Sequence, residues 1–234
     1  MNEMNSALAR TSYPGRGIVL GQSACGKYAY LAYFIMGRSE NSRNRVFVAQ
    51  GDGLRTKAFD EARMKDPTLV IYWPVRVVGS TTLVTNGDQT DTIADGLLAG
   101  LSFEEALRSR EFEPDGPNFT PRISGYAEIR GGRLQYGLSI LKSDDGGRSC
   151  ARYFYRYDDP QPGEGRFLHT YLGDGEPLPS FAGEPEKIAL GMDFSAFAEG
   201  AWASLDEENK VALFARRLEI ATGKYEQILF NKNH

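Results

Sequence analysis

The sequence predicts an α+β chain built on antiparallel sheet. Three observations carry this. Strand-like runs arrive as neighbouring pairs separated by glycine turns, which is the pattern of hairpins rather than of β-α-β crossovers. Stretches with helical spacing fall between groups of these runs, not between every pair. The composition, with 26 Gly, 11 Pro, 12 Tyr and 13 Phe, favours strands and turns over a helix bundle. A chain of 234 residues buries roughly 70% of its unfolded surface and needs no disulfide or metal staple. One domain over residues 1–234 is the simplest division.

The elements follow in order. The first twelve residues carry a weak helical signal. Gly17 to Gly21 and Tyr28 to Met36 are apolar, β-rich runs around a Gly26-Lys27 turn, and they predict a hairpin. A polar stretch, Gly37 to Arg45, leads to the strand-like Val46 to Val48, and Asp60 to Asp66 suggests a helical turn. Leu69 to Val78 reads as a strand interrupted by Pro74, then Gly79-Ser80 turns into a strand over Thr81 to Thr85. Asp91 is the expected N-cap of a helix through Ala99, and Ser102 with Glu105 forms a capping box for a second helix. Arg122 to Arg130, Arg133 to Lys142 and Ala151 to Tyr157 form a meander with Gly131-Gly132 as its first turn. Arg166 to Leu172 extends the sheet, and Asp193 to Leu205 places Phe194, Phe197, Ala201 and Trp202 toward one helical face. Lys210 to Ile220 and Tyr225 to Phe230 make a last hairpin.

Composition excludes several function classes. A net charge of −4 argues against a broad nucleic-acid surface. No apolar run approaches the roughly 20 residues that span a bilayer, and Met1 to Arg10 has no signal-peptide core, so the cytoplasm is the expected compartment. Cys25 and Cys150 form no disulfide framework, and two histidines, His169 and His234, make a metal site or a histidine triad improbable. Gly21 to Lys27 fits a phosphate-loop spacing until Tyr28 stands where a magnesium-binding Ser or Thr is required, and the segment ahead reads as strand, so a hairpin turn is the expectation.

Chemistry concentrates in three places. Gly37 to Arg45 holds Arg38, Arg43 and Arg45 among serines and asparagines, the composition of an anion pocket. Thr85 to Ile93 joins a strand to a helix and packs many hydrogen-bonding side chains into one loop around Asn86-Gly87. Asn118 to Ile123 brings Arg122 into a strand. Read alone, Tyr72, Trp73 and Arg76 are better explained by sheet packing.

Tyr13-Pro14-Gly15-Arg16-Gly17, Arg38-Ser39 through Asn44-Arg45, Asn86-Gly87 with Thr90-Asp91-Thr92-Ile93, and Thr120-Pro121-Arg122-Ile123 together resemble the archaeal-type inosine monophosphate cyclohydrolase family and its bacterial relatives. The resemblance runs from about Tyr13 to Ile123. It implies a four-layer αββα sandwich of the N-terminal-nucleophile hydrolase type, without use of a terminal nucleophile. It implies a purine-precursor nucleotide as substrate, 5-formamidoimidazole-4-carboxamide ribonucleotide, closed to inosine monophosphate and water with no cofactor and no metal. Oligomers are a family expectation. By the same resemblance Arg45 and Tyr72 act on the formyl oxygen and Glu113 accepts a proton or positions water, with Glu111 its rival. Arg38, Ser39 and Arg122 are assigned to the phosphate or ribose, and Asn86, Asp88, Thr90 and Asp91 to the base edge. Gln89 stands where some relatives carry histidine. Two other classes stay open: an amidohydrolase with a nucleophile freed by processing (Cys25 or Thr11), and a nucleotide-binding module without turnover.

Overall fold

A computed structural model describes residues 2–233. It is α+β, with two seven-stranded sheets and few helices. The first sheet runs β1 (Asn2–Glu3), β12 (Glu186–Ala189), β11 (Glu164–His169), β2 (Arg16–Gln22), β3 (Tyr28–Met36), β13 (Lys210–Glu219) and β14 (Tyr225–Asn231). The second runs β10 (Ala151–Tyr157), β9 (Arg133–Lys142), β8 (Arg122–Arg130), β7 (Thr81–Thr85), β6 (Val75–Val78), β5 (Gly53–Ala58) and β4 (Arg45–Gln50). Strand pairs are antiparallel except β1 with β12. The helices are α1 (Met4–Leu8), α2 (Glu40–Arg43), α3 (Gln89–Leu98), α4 (Phe103–Ala106) and α5 (Phe194–Ser204).

Strand β3 shows why the layers stack. Eight of its nine positions are buried, because both faces are covered. Leu31, Tyr33 and Ile35 join Ile18 and Leu20 of β2 in a core shared with Phe47, Val84 and Ile123 of the second sheet. The alternate residues Tyr30, Ala32 and Phe34 join a different core with Val19, Phe167, α1 and the Phe194–Ala198–Ala201 stripe of α5. The two-residue period of a strand thus sorts one sequence into two cores. On the outer face of the second sheet, Ile93 and Ala94 of α3 and Phe103 of α4 cover Leu83, Tyr126 and Leu141.

Phe34 is fully buried against the Phe167 ring and fills space that Gly17 leaves open: a Cβ on Gly17 would lie 2.3 Å from the Phe34 ring. Phe34→Ala is expected to cost about 3–5 kcal/mol, measured by urea unfolding; a loss below 1 kcal/mol would refute tight packing there.

The predicted hairpins match β2–β3, β8–β9–β10 and β13–β14 closely. The phosphate-loop look-alike is a turn, and Tyr28 begins β3. Three expectations need correction. Leu69 to Trp73 is turn and bend, and only Val75–Val78 is strand, because the Tyr72 N–H and C=O bond to Thr56 instead of a ladder. Strands β5 and β12 had no counterpart among the expected elements. Asp91 is not the N-cap of α3. Asp88 occupies that position without a side-chain cap bond, since its carboxylate turns to arginines, and Asp91 lies in the first turn. Among the described residues no helix is long and apolar enough to cross a membrane. His234 lies outside the described residues.

Candidate active site

A hollow of about 310 Å³ opens at one end of the layer between the sheets. Its wall includes Tyr13, Arg16, Arg38, Ser39, Glu113 and Tyr171. Arg16 starts β2 on the face that turns inward, in phase with Ile18 and Leu20. The turn before it depends on Gly15, whose φ is +80° and whose Cβ position would meet Thr170 Oγ1 at 2.2 Å. The backbone N–H of Arg16 donates to Thr170 Oγ1 at 3.1 Å, and the Thr170 N–H donates back to Arg16 O at 3.0 Å. This fixes where the guanidinium enters the site.

Beneath the hollow lies a buried polar group. Arg16 Nη2 is 3.8 Å from Glu113 Oε2, while Arg16 Nε and Glu113 Oε1 have no partner. Arg45, at the start of β4, is fully buried; its Nε donates to Ser42 O at 2.7 Å, and Nη1 and Nη2 have no acceptor. The Tyr33 and Tyr72 hydroxyls are 2.7 Å apart. Tyr72 is pinned through its backbone, which donates to Thr56 Oγ1 at 2.8 Å. Glu113 is held in its loop by its N–H, which donates to Thr120 O at 2.9 Å.

Burial pushes the Glu113 carboxyl up to about 7, against the pull of Arg16 and Arg122. Burial also works against the charge on Arg16, yet Glu113 and nearby tyrosines hold it well above its ordinary value. Arg45 is lowered by burial, with Arg16 adding like-charge repulsion. Burial raises Tyr33 well above the usual phenol range. A carboxyl near neutrality beside guanidinium groups with free N–H donors can exchange a proton and stabilise a developing oxyanion.

The structure brings together part of the predicted set. Arg38 stands at the rim over the Tyr13 ring, 5.1 Å from its centroid, and Ser39 also lines the hollow while its hydroxyl caps α2. Glu113 also lines the hollow, whereas Arg45 and Tyr72 do not; Arg45 acts on Glu113, and Tyr72 on Arg45, through their charges alone. Glu111 lies outside, exposed and 3.8 Å from Arg152. Asn86 is fully buried, with Nδ2 donating to Pro121 O at 2.9 Å and Oδ1 accepting from Ile123 N at 2.9 Å. Thr90 donates to Gly87 O at 3.0 Å. Arg122 lies between Asp88, 2.8 Å away, and Gln89 Oε1, 2.7 Å away. These residues brace the ends of β7 and β8. Asp91 points elsewhere and pairs with Arg76 at 2.9 Å.

Arg16, Tyr33 and Thr56 had no predicted role. Arg16 was detectable: it extends the inward alternation of Ile18 and Leu20, so a charge was heading into the core. Cys25 is exposed in its turn, and His169 stacks on Phe167 and meets Phe181 edge-on.

A family model described as IMP cyclohydrolase-like protein matches residues 13–223. A Methanopyrus kandleri protein named IMP cyclohydrolase is 31% identical over 172 residues, covering 72% of this chain and 79% of the relative. Proteins of the same name from Methanococcus aeolicus and Methanosphaera stadtmanae are each 32% identical, over 116 and 124 residues, covering 48% and 51% of this chain. The chain spans just over half the length of these two relatives, 56% and 59%. With the family model covering nearly the whole chain, this protein belongs to the IMP cyclohydrolase-like protein family.

Proposed function

We propose that this chain closes the second purine ring, converting 5-formamidoimidazole-4-carboxamide ribonucleotide into inosine monophosphate and water. The observation that carries this reading is the buried Arg45 guanidinium, whose Nη1 and Nη2 have no acceptor, within the electrostatic reach of Arg16, Tyr72 and Glu113. The reaction joins two groups of one imidazole ring. The carboxamide nitrogen attacks the formyl carbon, one N–C bond forms, and the formyl oxygen leaves as water with one proton from each nitrogen. Holding the formamide turned toward the carboxamide can lower the barrier by up to about 7–11 kcal/mol.

In this reading Arg45 and Tyr72 bind the formyl oxygen as charge builds on it. Glu113 takes the carboxamide proton. Arg16 keeps Glu113 in place and adds positive charge for an anionic substrate. Arg38 and Ser39 at the rim face the phosphate or ribose. Asn86, Asp88, Thr90 and Arg122 brace the ends of β7 and β8. The chemistry draws on no metal or cofactor. The layer order, with helices covering the outer faces of two packed sheets, supports a one-domain αββα sandwich of the N-terminal-nucleophile hydrolase type.

An absorbance assay with the formylated ribonucleotide tests this. Conversion to inosine monophosphate is the expected result; binding without turnover would replace it with a nucleotide-binding module. Tyr33→Phe removes the hydroxyl that holds Tyr72 and is expected to slow turnover roughly fivefold, the equivalent of one neutral hydrogen bond of ~1 kcal/mol. An unchanged rate would detach Tyr33 from Tyr72.

A further inference from the structure

Tyr171 stands in the wall of the hollow with a hydroxyl that the chemistry above does not use. Its ring stacks on Tyr13, centroids 6.0 Å apart, and fills the space that Gly15 leaves: a Cβ on Gly15 would lie 2.5 Å from it. Its hydroxyl meets Thr120 Oγ1 at 2.5 Å. Thr120 is itself held twice by Asp115, whose Oδ1 accepts from the Thr120 N–H at 2.7 Å and whose Oδ2 accepts from the Thr120 hydroxyl. Asp115 and Thr120 line the same hollow. Phe119, just before Thr120, takes φ +44° and is the one non-glycine residue with positive φ among the described residues, so the loop accepts strain to hold Thr120 in this place.

The direction of these bonds follows from counting protons. A carboxylate only accepts, and a threonine hydroxyl has one proton. Thr120 gives that proton to Asp115, so it meets Tyr171 with a lone pair. Tyr171 must then donate to Thr120. Burial pushes the Tyr171 phenol up to about 12, so it keeps the proton that it donates. Among the described residues nothing donates to Tyr171 Oη in return. A tyrosine can normally play either part; this one has only an acceptor left to offer.

Resting on the ring-closure reading above, we propose that Tyr171 Oη accepts a hydrogen bond from a ribose hydroxyl of the nucleotide, and so makes the site select ribonucleotides over deoxynucleotides. The position fits the sugar. Arg38, assigned to the phosphate side, lies over the Tyr13 ring that stacks on Tyr171. Glu113, assigned to the carboxamide, donates its N–H to the carbonyl of Thr120, the hydroxyl partner of Tyr171. Tyr171 is thus linked to the residues at both ends of the substrate, and the ribose joins those ends. A deoxy sugar brings a C–H to an oxygen whose one proton is already given to Thr120, and leaves that oxygen unpaired. Asp115 and Thr120 are positioning residues: they act through Tyr171 by holding its proton away from the hollow.

Calorimetric titration of the whole chain with inosine monophosphate, 2′-deoxyinosine monophosphate and 3′-deoxyinosine monophosphate tests this. One deoxynucleotide is expected to bind about 5- to 100-fold more weakly than inosine monophosphate, which names the hydroxyl held. Tyr171→Phe keeps the ring and is expected to bring that ratio close to one by weakening inosine monophosphate alone. Thr120→Val is expected to shrink the ratio too, because the Tyr171 proton is then free to turn into the hollow, and Thr120→Ser to restore it. A purely structural role would weaken all three nucleotides alike and leave the ratio intact, which overturns the proposal. If Tyr171→Phe does not fold, the Thr120 pair decides, and an unchanged ratio in Thr120→Val overturns the proposal. Deoxynucleotides that the parent binds as tightly as inosine monophosphate remove this contact alone, whereas inosine monophosphate that fails to bind removes the nucleotide reading and the contact with it.

Discussion

Arg45→Met is expected to lower turnover of the formylated ribonucleotide by about 100- to 1,000-fold, the usual cost of losing a preorganised oxyanion donor. The melting temperature is expected to hold or rise. Both outcomes come from the same atoms. Nη1 and Nη2 are buried without acceptors, so the folded chain carries an uncompensated charge that methionine removes. Only the Nε bond to Ser42 O is lost from the fold. A structural arginine would behave in the opposite way, with stability falling and activity following it. Steady-state kinetics beside a melting curve separates the two. Full turnover in Arg45→Met would take Arg45 out of the chemistry.

Glu113→Gln is expected to lower turnover by about 100- to 10,000-fold and to remove a pH dependence. In the proposed role of proton acceptor Glu113 works ionised, and the expected result is a parent rate that rises with pH through about 7. The variant loses that limb. Stability moves in the other direction. From its ordinary value of 4.5 up to about 7, the folded chain keeps a proton that the unfolded chain has released. Its contribution is therefore full below about 4.5 and is lost as pH rises through about 7. Melting temperature against pH should slope downward more steeply in the parent than in Glu113→Gln. Parallel curves would show that burial does not govern this carboxyl.

Much of the fold was legible because local signals agreed with the tertiary outcome. Gly131 and Gly132 both take positive φ at the turn they were expected to make, and the flanking runs pair in register from Arg130–Arg133 to Arg122–Leu141. Strand β5 escaped notice because Gly53 to Ala58 mixes arginine, threonine and lysine, and only alternate positions around Leu54 and Thr56 turn inward. Leu69 to Trp73 misled in the reverse sense. Its residues suit a strand, but prolines at 67 and 74 bracket it, and Thr56 takes its backbone bonds. At the site, residue type pointed to the arginine-rich loop and spacing did not. Asn86 was singled out for its donors, and the fold spends them on Pro121 and Ile123. Arg16 flanks an apolar run, and its phase with Ile18 and Leu20 marked it as inward; its partner Glu113, far along the chain and 3.8 Å away, was not legible.

The group under the hollow draws Arg16 and Tyr33 from one sheet and Arg45 from the other, with Tyr72 and Glu113 supplied by loops. No fragment of the chain that forms one sheet alone holds this assembly. The proposed site therefore exists only where the two sheets are docked, and a partly unfolded molecule with its strands intact would lack it. The same seam that hides the charges makes the proposed activity a reporter of whether both sheets are in place.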